Sequence, residues 1–426
     1  MGVILLISFV VFAIMGVPIA FVLGLSSMAA IRFGSALRLV VVPQRMFTAV
    51  DTFPLLAIPL FMIAGSLMDT GGISRRLVNL ANEIVGRLTG GLALMGILTC
   101  MFFAAISGSG PATVAAIGGI MIPYMVKAGY DKGFAAAIMA TAGAIGVIIP
   151  PSIPMITYAT MSNVSVGGLF TAGFGPGILV GLSLMAAAWW ISKKRGYGGE
   201  QEKFTWKALL IAVKDAFWAL LMPFIILGGI YGGVFTPTEA AGVAVMYGFF
   251  IGTFVYRELP LKKIPQILTN AACTTAMIMF IISTAQVFGW IMTSERIPDA
   301  VARQILNVSD NKIVILLIIN VILLIVGCFM ETNASLILFA PIFLPIAVRL
   351  GVSPIHFGII MIVNLAIGMS TPPLGVNLYV ACGITKITLE RISAAVVPFI
   401  AVNVAALFII TYLEPVAMFL PRLFGW

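Results

Sequence analysis

Residues 144–151 read AIGVIIPP, and residues 366–373, 222 positions later, read AIGMSTPP. Each stretch lies in a long apolar run, where paired prolines remove backbone donors and clash with the preceding turn, so a helix entering either one must break there. Laying residues 122–151 on 344–373 without a gap extends the match. Ten of the thirty positions are identical, among them Pro123 with Pro345, Val126 with Val348 and Gly129 with Gly351. Further upstream, GSLMDTGGI (65–73) and GWIMTSERI (289–297) share Gly, Met and Ile. Chance likeness between two greasy segments does not place the prolines and glycines of the aligned block at one fixed offset of 222, so the chain is read as containing two copies of one unit, with the upstream pair at an offset of 224.

Composition sets the solvent in which those breaks must survive. Of 426 residues, 61% are hydrophobic and 9% charged, against roughly 45–50% and about 25% in ordinary soluble domains. Runs at 2–25, 313–330 and 392–413 approach or exceed the ~20 apolar residues that cross a bilayer. The first run lacks a basic start and a small-residue cleavage site and is read as a retained span. The net charge of +9 is spread over short loops, which argues against a nucleic-acid partner and makes the charges topological signals. The densest group, KKRGYGGEQEKFTWK (193–207), follows Trp189 and Trp190 and is placed in the cytoplasm by the positive-inside rule. SRRLVNLANEIVGRL (74–88) is too polar to span and is expected to be an amphipathic surface helix. Cys100, Cys273, Cys328 and Cys382 are widely spaced in apolar segments, the pattern of packing residues and not of a disulfide or metal framework.

The expected fold is an all-α polytopic membrane protein with two inverted repeats, re-entrant hairpins and broken helices. Residues 1–48 supply N-terminal scaffold spans. Residues 49–165 form the first repeat, with a hairpin at 91–126 and a broken helix around 146–152. Residues 166–274 supply central scaffold spans and the basic loop 192–207. Residues 275–390 form the second repeat, with a hairpin at 313–349 and a broken helix around 368–374, and 391–426 carry a C-terminal span. Two equivalent halves in one membrane chain point to a transporter, in which substrate sits between the repeats near the midplane.

Lipid cannot hydrate the carbonyls that a helix break exposes, but buried half-helix ends can present them to a cation or face an anion with their N-termini. Gly146 and Pro150 lie at the first break, Gly368 and Thr371 at the second. The first hairpin tip, SGSGPAT (107–113), offers the hydroxyls of Ser107, Ser109 and Thr113, and hard cations favour oxygen. These seven residues are the candidate sodium ligands. The second tip, METNAS (330–335), carries Glu331, whose charge at membrane depth costs about 2.5–3.5 kcal/mol or more unless paired or hydrated. Glu331, the nearby cation Arg296, and the polar residues Ser152 and Asn377 beside the two breaks are the candidate substrate contacts. His356 has no clustered ligand residues beside it and is assigned no chemistry.

FTPTEAA (235–241) contains a capping box, with Thr236 as N-cap, Pro237 first in the helix and Glu239 reaching back. Together with SGSGPATVAAIG, GAIGVIIPPSIPMI and NLAIGMSTPPLGVNLYV, it resembles the large membrane subunit of tripartite ATP-independent periplasmic (TRAP) transporters, the DctM-like family, over nearly the whole chain. That resemblance implies a sodium-driven elevator transporter of the bacterial inner membrane and no enzyme activity. It also implies a small four-helix membrane subunit as a separate chain and a periplasmic binding protein that delivers an organic acid of the C4-dicarboxylate or sialic acid class. Family sodium sites fall on Ser107 and Ser109 and on the Gly146–Pro150 and Gly368–Pro372 breaks. In some sialic-acid members an Asp stands at the place of Glu331 and an Arg near Arg296. Two other classes are weighed. A membrane subunit of an ion-pumping enzyme complex would thread ionisable residues through its spans, and an anion channel would need a basic or polar pore. The spans here are nearly empty of such groups.

Overall fold

The computed structural model describes residues 1–198, 205–309 and 311–426, so the centre of the basic loop, 199–204, lies outside the described residues. Among the described residues the regular structure is helical throughout. Among the described residues, eight helices are long and apolar enough to cross a membrane by length and composition.

The first half runs α1 (Gly2–Ile14), α2 (Ile19–Gly34), α3 (Val41–Val50), α4 (Ala57–Thr70), α5 (Ile73–Val85) and α6 (Gly91–Ser107). It continues with α7 (Gly110–Thr113), a π turn at Val114–Gly118, α8 (Gly119–Lys127), α9 (Lys132–Gly143), α10 (Ile153–Ser162) and α11 (Val166–Arg195). The second half begins with α12 (Trp206–Tyr231), α13 (Pro237–Phe250), α14 (Ile264–Ser294), α15 (Ile297–Val308) and α16 (Lys312–Phe329). It ends with α17 (Thr332–Arg349), α18 (Pro354–Gly368), α19 (Val376–Thr385), α20 (Leu389–Tyr412) and α21 (Pro415–Leu423).

The correspondence between halves runs beyond the paired prolines. Left-handed residues punctuate the same joints: Gly16 and Gly233 after α1 and α12, Gly72 and Arg296 before α5 and α15, and Asn163 and Lys386 after α10 and α19. Both proline pairs, Pro150–Pro151 and Pro372–Pro373, are joined by cis bonds. The scaffold is therefore duplicated along with the hairpins, a relation that its featureless apolar sequence does not display. One joint differs. The second-half helix α14 is continuous for 31 residues, whereas its counterpart is divided into α3, a short 3₁₀ turn at Phe53–Leu56 and α4, because Pro54 follows the extended Thr52 and cannot continue a hydrogen-bonded helix.

Hairpin one is α6 with α7–α8, and hairpin two is α16 with α17. Arms of 17 and 18 residues extend about 26 Å at 1.5 Å per residue, at the lower limit for crossing a ~30 Å hydrocarbon core, and only two residues join the arms at each tip. If each hairpin returns to the side it entered, five crossings separate equivalent points of the halves: α9 with α10, α11, α12, α13 and α14. An odd number places the hairpins on opposite faces, which makes the repeats inverted.

The halves also interlock. The post-break helix α10 packs against α17 of the other half's hairpin, and α19 packs against α7, the π turn and α8. In the scaffold, α2 packs on α14 and α13 on α4. The amphipathic helix α5 does not lie free on the surface, since its apolar face is buried against α6 and α12. Its polar side is tied down as well. Arg76 lies 3.6 Å from the Tyr256 ring centre and pairs with Glu258 at 2.9 Å and Asp215 at 3.3 Å. The expected packing role holds for Cys100, which is buried, but Cys273 faces outward. His356 is buried with Nε2 2.8 Å from the Ile410 carbonyl, a structural contact.

Candidate functional site

The two hairpin tips meet at one cavity of about 260 Å³. Residues 108–111 of tip one and Glu331, Thr332 and Asn333 of tip two form its polar wall. The opposite wall is scaffold: Met62 of α4 and Thr274, Met277, Ile278 and Ile281 of α14. Ile153 and Pro154, at the start of α10, close it from the first break, and Met369 from the second. Hairpins that enter from opposite faces bring their two tips together at this one cavity. That is why residues 222 positions apart come to share a pocket.

Ser109 and Glu331 are equivalent residues. Each is the N-cap of its hairpin's second arm, and each has its carbonyl capped from four residues on, by Thr113 Oγ1 at 2.8 Å and by Ser335 Oγ at 3.0 Å. In tip one the Ser107 and Thr113 hydroxyls are 2.8 Å apart. The Ser107 and Thr113 hydroxyls and the Ser109 carbonyl therefore form one oxygen cluster. Gly146, at the first break, backs directly onto it: a Cβ there would lie 2.7 Å from the Ser109 carbonyl oxygen. Gly108 is left-handed at φ 61°, and its carbonyl accepts from the Ile153 N–H at 3.4 Å, so the tip is locked to the start of α10. Ser107, Ser109, Thr113 and Gly146 are thus brought together. Pro150 stands apart, packed against α11 at Gly173.

The second break has a different environment. Gly368 presses against Gly327 of α16. The Thr371 hydroxyl donates to the Ile367 carbonyl at 2.8 Å, while Pro373 and Leu374 are exposed, unlike the wholly buried first break. Asn377 is buried beside tip one. Its amide donates to the Ala140 carbonyl at 3.0 Å, its Oδ1 has no partner, and Gly110 approaches that oxygen closely. Ser370 also reaches Ala140, at 2.8 Å. The second break is therefore bonded across the repeat boundary to α9.

Several carbonyls freed by the breaks are already satisfied by side chains. The Ser152 hydroxyl donates to Val147 at 2.6 Å and accepts from the Met155 N–H at 3.4 Å, so this buried residue is occupied as the α10 cap and does not line the cavity. Glu331 does line it. Its carboxylate accepts from Asn333 Nδ2 at 2.8 Å and from the Ala334 N–H at 3.1 Å, and Asn333 in turn accepts from Thr157 of α10 at 3.0 Å. Arg296 does not join them. It is the exposed, left-handed N-cap of α15 (φ 55°) and lies outside the cavity lining. Sequence reasoning missed Thr332, whose buried hydroxyl has no partner, although METNAS contains it. It also missed Thr274 and Met277, which sit in an apolar span with nothing to mark them.

Comparisons with known proteins bear on this site. The family model described as "Tripartite ATP-independent periplasmic transporter, DctM component" matches residues 6–416. An isethionate TRAP transporter permease protein, DctMQ, of Oleidesulfovibrio alaskensis is 53% identical over 96% of this chain, which spans 65% of that longer protein. The C4-dicarboxylate TRAP transporter large permease protein DctM of Pseudomonas aeruginosa is 44% identical over 89% of each chain. The sialic acid TRAP transporter large permease protein SiaM of Vibrio cholerae is 37% identical over 96% of each. Among solved structures, the Alcanivorax borkumensis YdaH transporter matches with a TM-score of 0.64 at 16% identity, covering 96% of this chain and 97% of that one. At that identity the likeness speaks for the fold.

Proposed function

The chain belongs to the DctM component family of tripartite ATP-independent periplasmic transporters, and from that premise we propose that it is a large permease subunit that couples uptake of an organic acid to sodium by an elevator movement. The observation that carries this reading is the cavity itself, where both hairpin tips face the scaffold helix α14 across one space, with the Ser107–Thr113 oxygen cluster beside it. Substrate in the cavity and sodium at the cluster share the tip residue Ser109. Binding of one therefore orders the backbone that holds the other, which is the physical basis of coupling. The hairpins and broken helices form the moving body, and α2, α4, α13 and α14 the frame. Relatives named for isethionate, C4-dicarboxylates and sialic acid set the substrate class as organic acids. A periplasmic binding protein delivers the acid, a small membrane subunit completes the complex, and the bacterial inner membrane is its location.

Counterflow in proteoliposomes tests this. The complete transporter is expected to accumulate the acid with an inward sodium gradient and its binding protein, and to lose accumulation when either is omitted. Uptake driven by a proton gradient alone, indifferent to sodium, would defeat the sodium assignment.

A further inference from the structure

We propose that the cavity selects a small acid with a single negative charge and a short, hydroxyl-bearing body, and discriminates against dicarboxylates and large sugar acids. This rests on the reading of the cavity as the substrate site and adds the class of substrate to it. Three features of the wall carry it.

The first is size. About 260 Å³ lies below the roughly 300–1,000 Å³ of sites that enclose drug-sized ligands, and a bulky sugar acid would need the tips to part. The second is charge. Among the described residues lining the cavity, Glu331 is the only charged one, and no Lys, Arg or His lines it. The positive potential available is that of helix starts, each equivalent to about half a charge. Three helices begin at the wall: the second arm of hairpin one at Gly110, α10 at Ile153 and α17 at Thr332. The start of α17 is already answered by the Glu331 carboxylate, which accepts from the Ala334 N–H. The start of α10 is spent as well, since its Ile153 N–H donates to the Gly108 carbonyl, Ser152 caps the Met155 N–H and Pro154 has no N–H. The start at Gly110, whose N-cap Ser109 makes no side-chain capping bond, remains for one anionic group. A second carboxylate on the substrate would have to face Glu331 or lie against Met62, Met277, Ile278 and Ile281, and an ionised group without a partner is among the most costly things to bury.

The third feature is an unspent hydrogen-bonding group. Thr332 is 1% exposed, lines the cavity, and its hydroxyl has no partner. Buried hydroxyls are ordinarily paired, so Thr332 is available to exchange a hydrogen bond with the substrate. Thr274 on the scaffold and Ser109 on tip one stand at the same cavity. This arrangement suits a compact body with a hydroxyl better than a purely hydrocarbon one.

The test uses the purified permease in sodium, with thermal unfolding read against matched concentrations of 2-hydroxyethanesulfonate, succinate and N-acetylneuraminate. The expected result is stabilisation by 2-hydroxyethanesulfonate and none by the other two. An equal or larger shift with succinate or N-acetylneuraminate overturns the proposal, and so does the absence of a shift with all three. In Glu331→Gln, the ratio of half-saturating succinate to 2-hydroxyethanesulfonate should move toward succinate by about tenfold or more, the scale of removing one like charge from a desolvated site. An unchanged ratio also overturns it. Failure of the underlying reading would look different: the complete transporter with its binding protein would show no sodium-driven uptake of any acid.

Discussion

At the residue scale, the proposed sodium site rests on the oxygen cluster of tip one. Ser109 contributes its carbonyl, and the hydroxyls come from Ser107 and Thr113. Thr113→Val keeps the shape and removes one oxygen, a loss of about 1–3 kcal/mol for an unpaired buried group. Sodium half-saturation of uptake is therefore expected to rise about tenfold with little change in protein yield. An unaltered sodium dependence would take Thr113 out of the site. Gly146 is a position where only hydrogen fits, since a Cβ would press on the Ser109 carbonyl. Gly146→Ala should lower Tm by an amount corresponding to about 1–3 kcal/mol of overpacking, whereas Gly383→Ala, where a Cβ meets nothing within 4 Å, should not. Arg296 matched the expectation of a cationic substrate contact by sequence neighbourhood, but its side chain is exposed and outside the cavity. Arg296→Lys is accordingly expected to leave uptake near that of the unaltered protein; a loss of about tenfold, the mark of a lost bidentate contact, would return it to the site.

At the element scale, helix α9 is anchored by Asp131, whose carboxylate accepts from the Phe134 N–H at 2.9 Å and from Arg391 of α20 at 2.8 Å. Burial works to raise the Asp131 pKa, but these two donors and the nearby Arg195 together hold it below the usual carboxylate value. A depressed folded value means that the stabilisation is present above the unfolded value of about 3.9 and is lost as pH falls through the folded one. Asp131→Asn keeps a capping oxygen and removes the charge. The fall in Tm on acidification below about pH 4 should be smaller in this variant than in the parent protein, and identical curves would show that the ion pair contributes nothing to the anchoring. The helix breaks were legible because proline and glycine act locally on the backbone. The fate of their carbonyls was not, because Ser152 and Asn377 could be identified as polar neighbours but not as hydrogen-bond partners of Val147 and Ala140.

At the scale of the whole molecule, the proposed elevator requires the hairpins to slide as a body past α4 and α14. With the four native cysteines replaced, a cysteine at Met277 of α14 paired in turn with several positions along α17 should crosslink in two registers. One register is expected under conditions that face the site inward and another under conditions that face it outward. Crosslinking at a single register under both conditions would rule out the slide. The pairing of α2 with α14 and of α13 with α4 supplies a symmetric frame against which such a movement can run.

Taken alone, the sequence determined that this is a membrane protein, that it contains an internal repeat, where each copy breaks, and which tips carry the oxygen atoms. Those properties follow from apolar content, proline, glycine and local spacing, all of which act over a few residues. The assignment of Ser109 and Glu331 to one pocket, the use of Ser152 as a cap, the exclusion of Arg296 and the recruitment of Thr274 and Met277 were decided only in three dimensions. They depend on which helix of one half packs against which helix of the other. An apolar helix presents nearly the same surface chemistry on every side, so it does not encode its neighbour in a short stretch of residues.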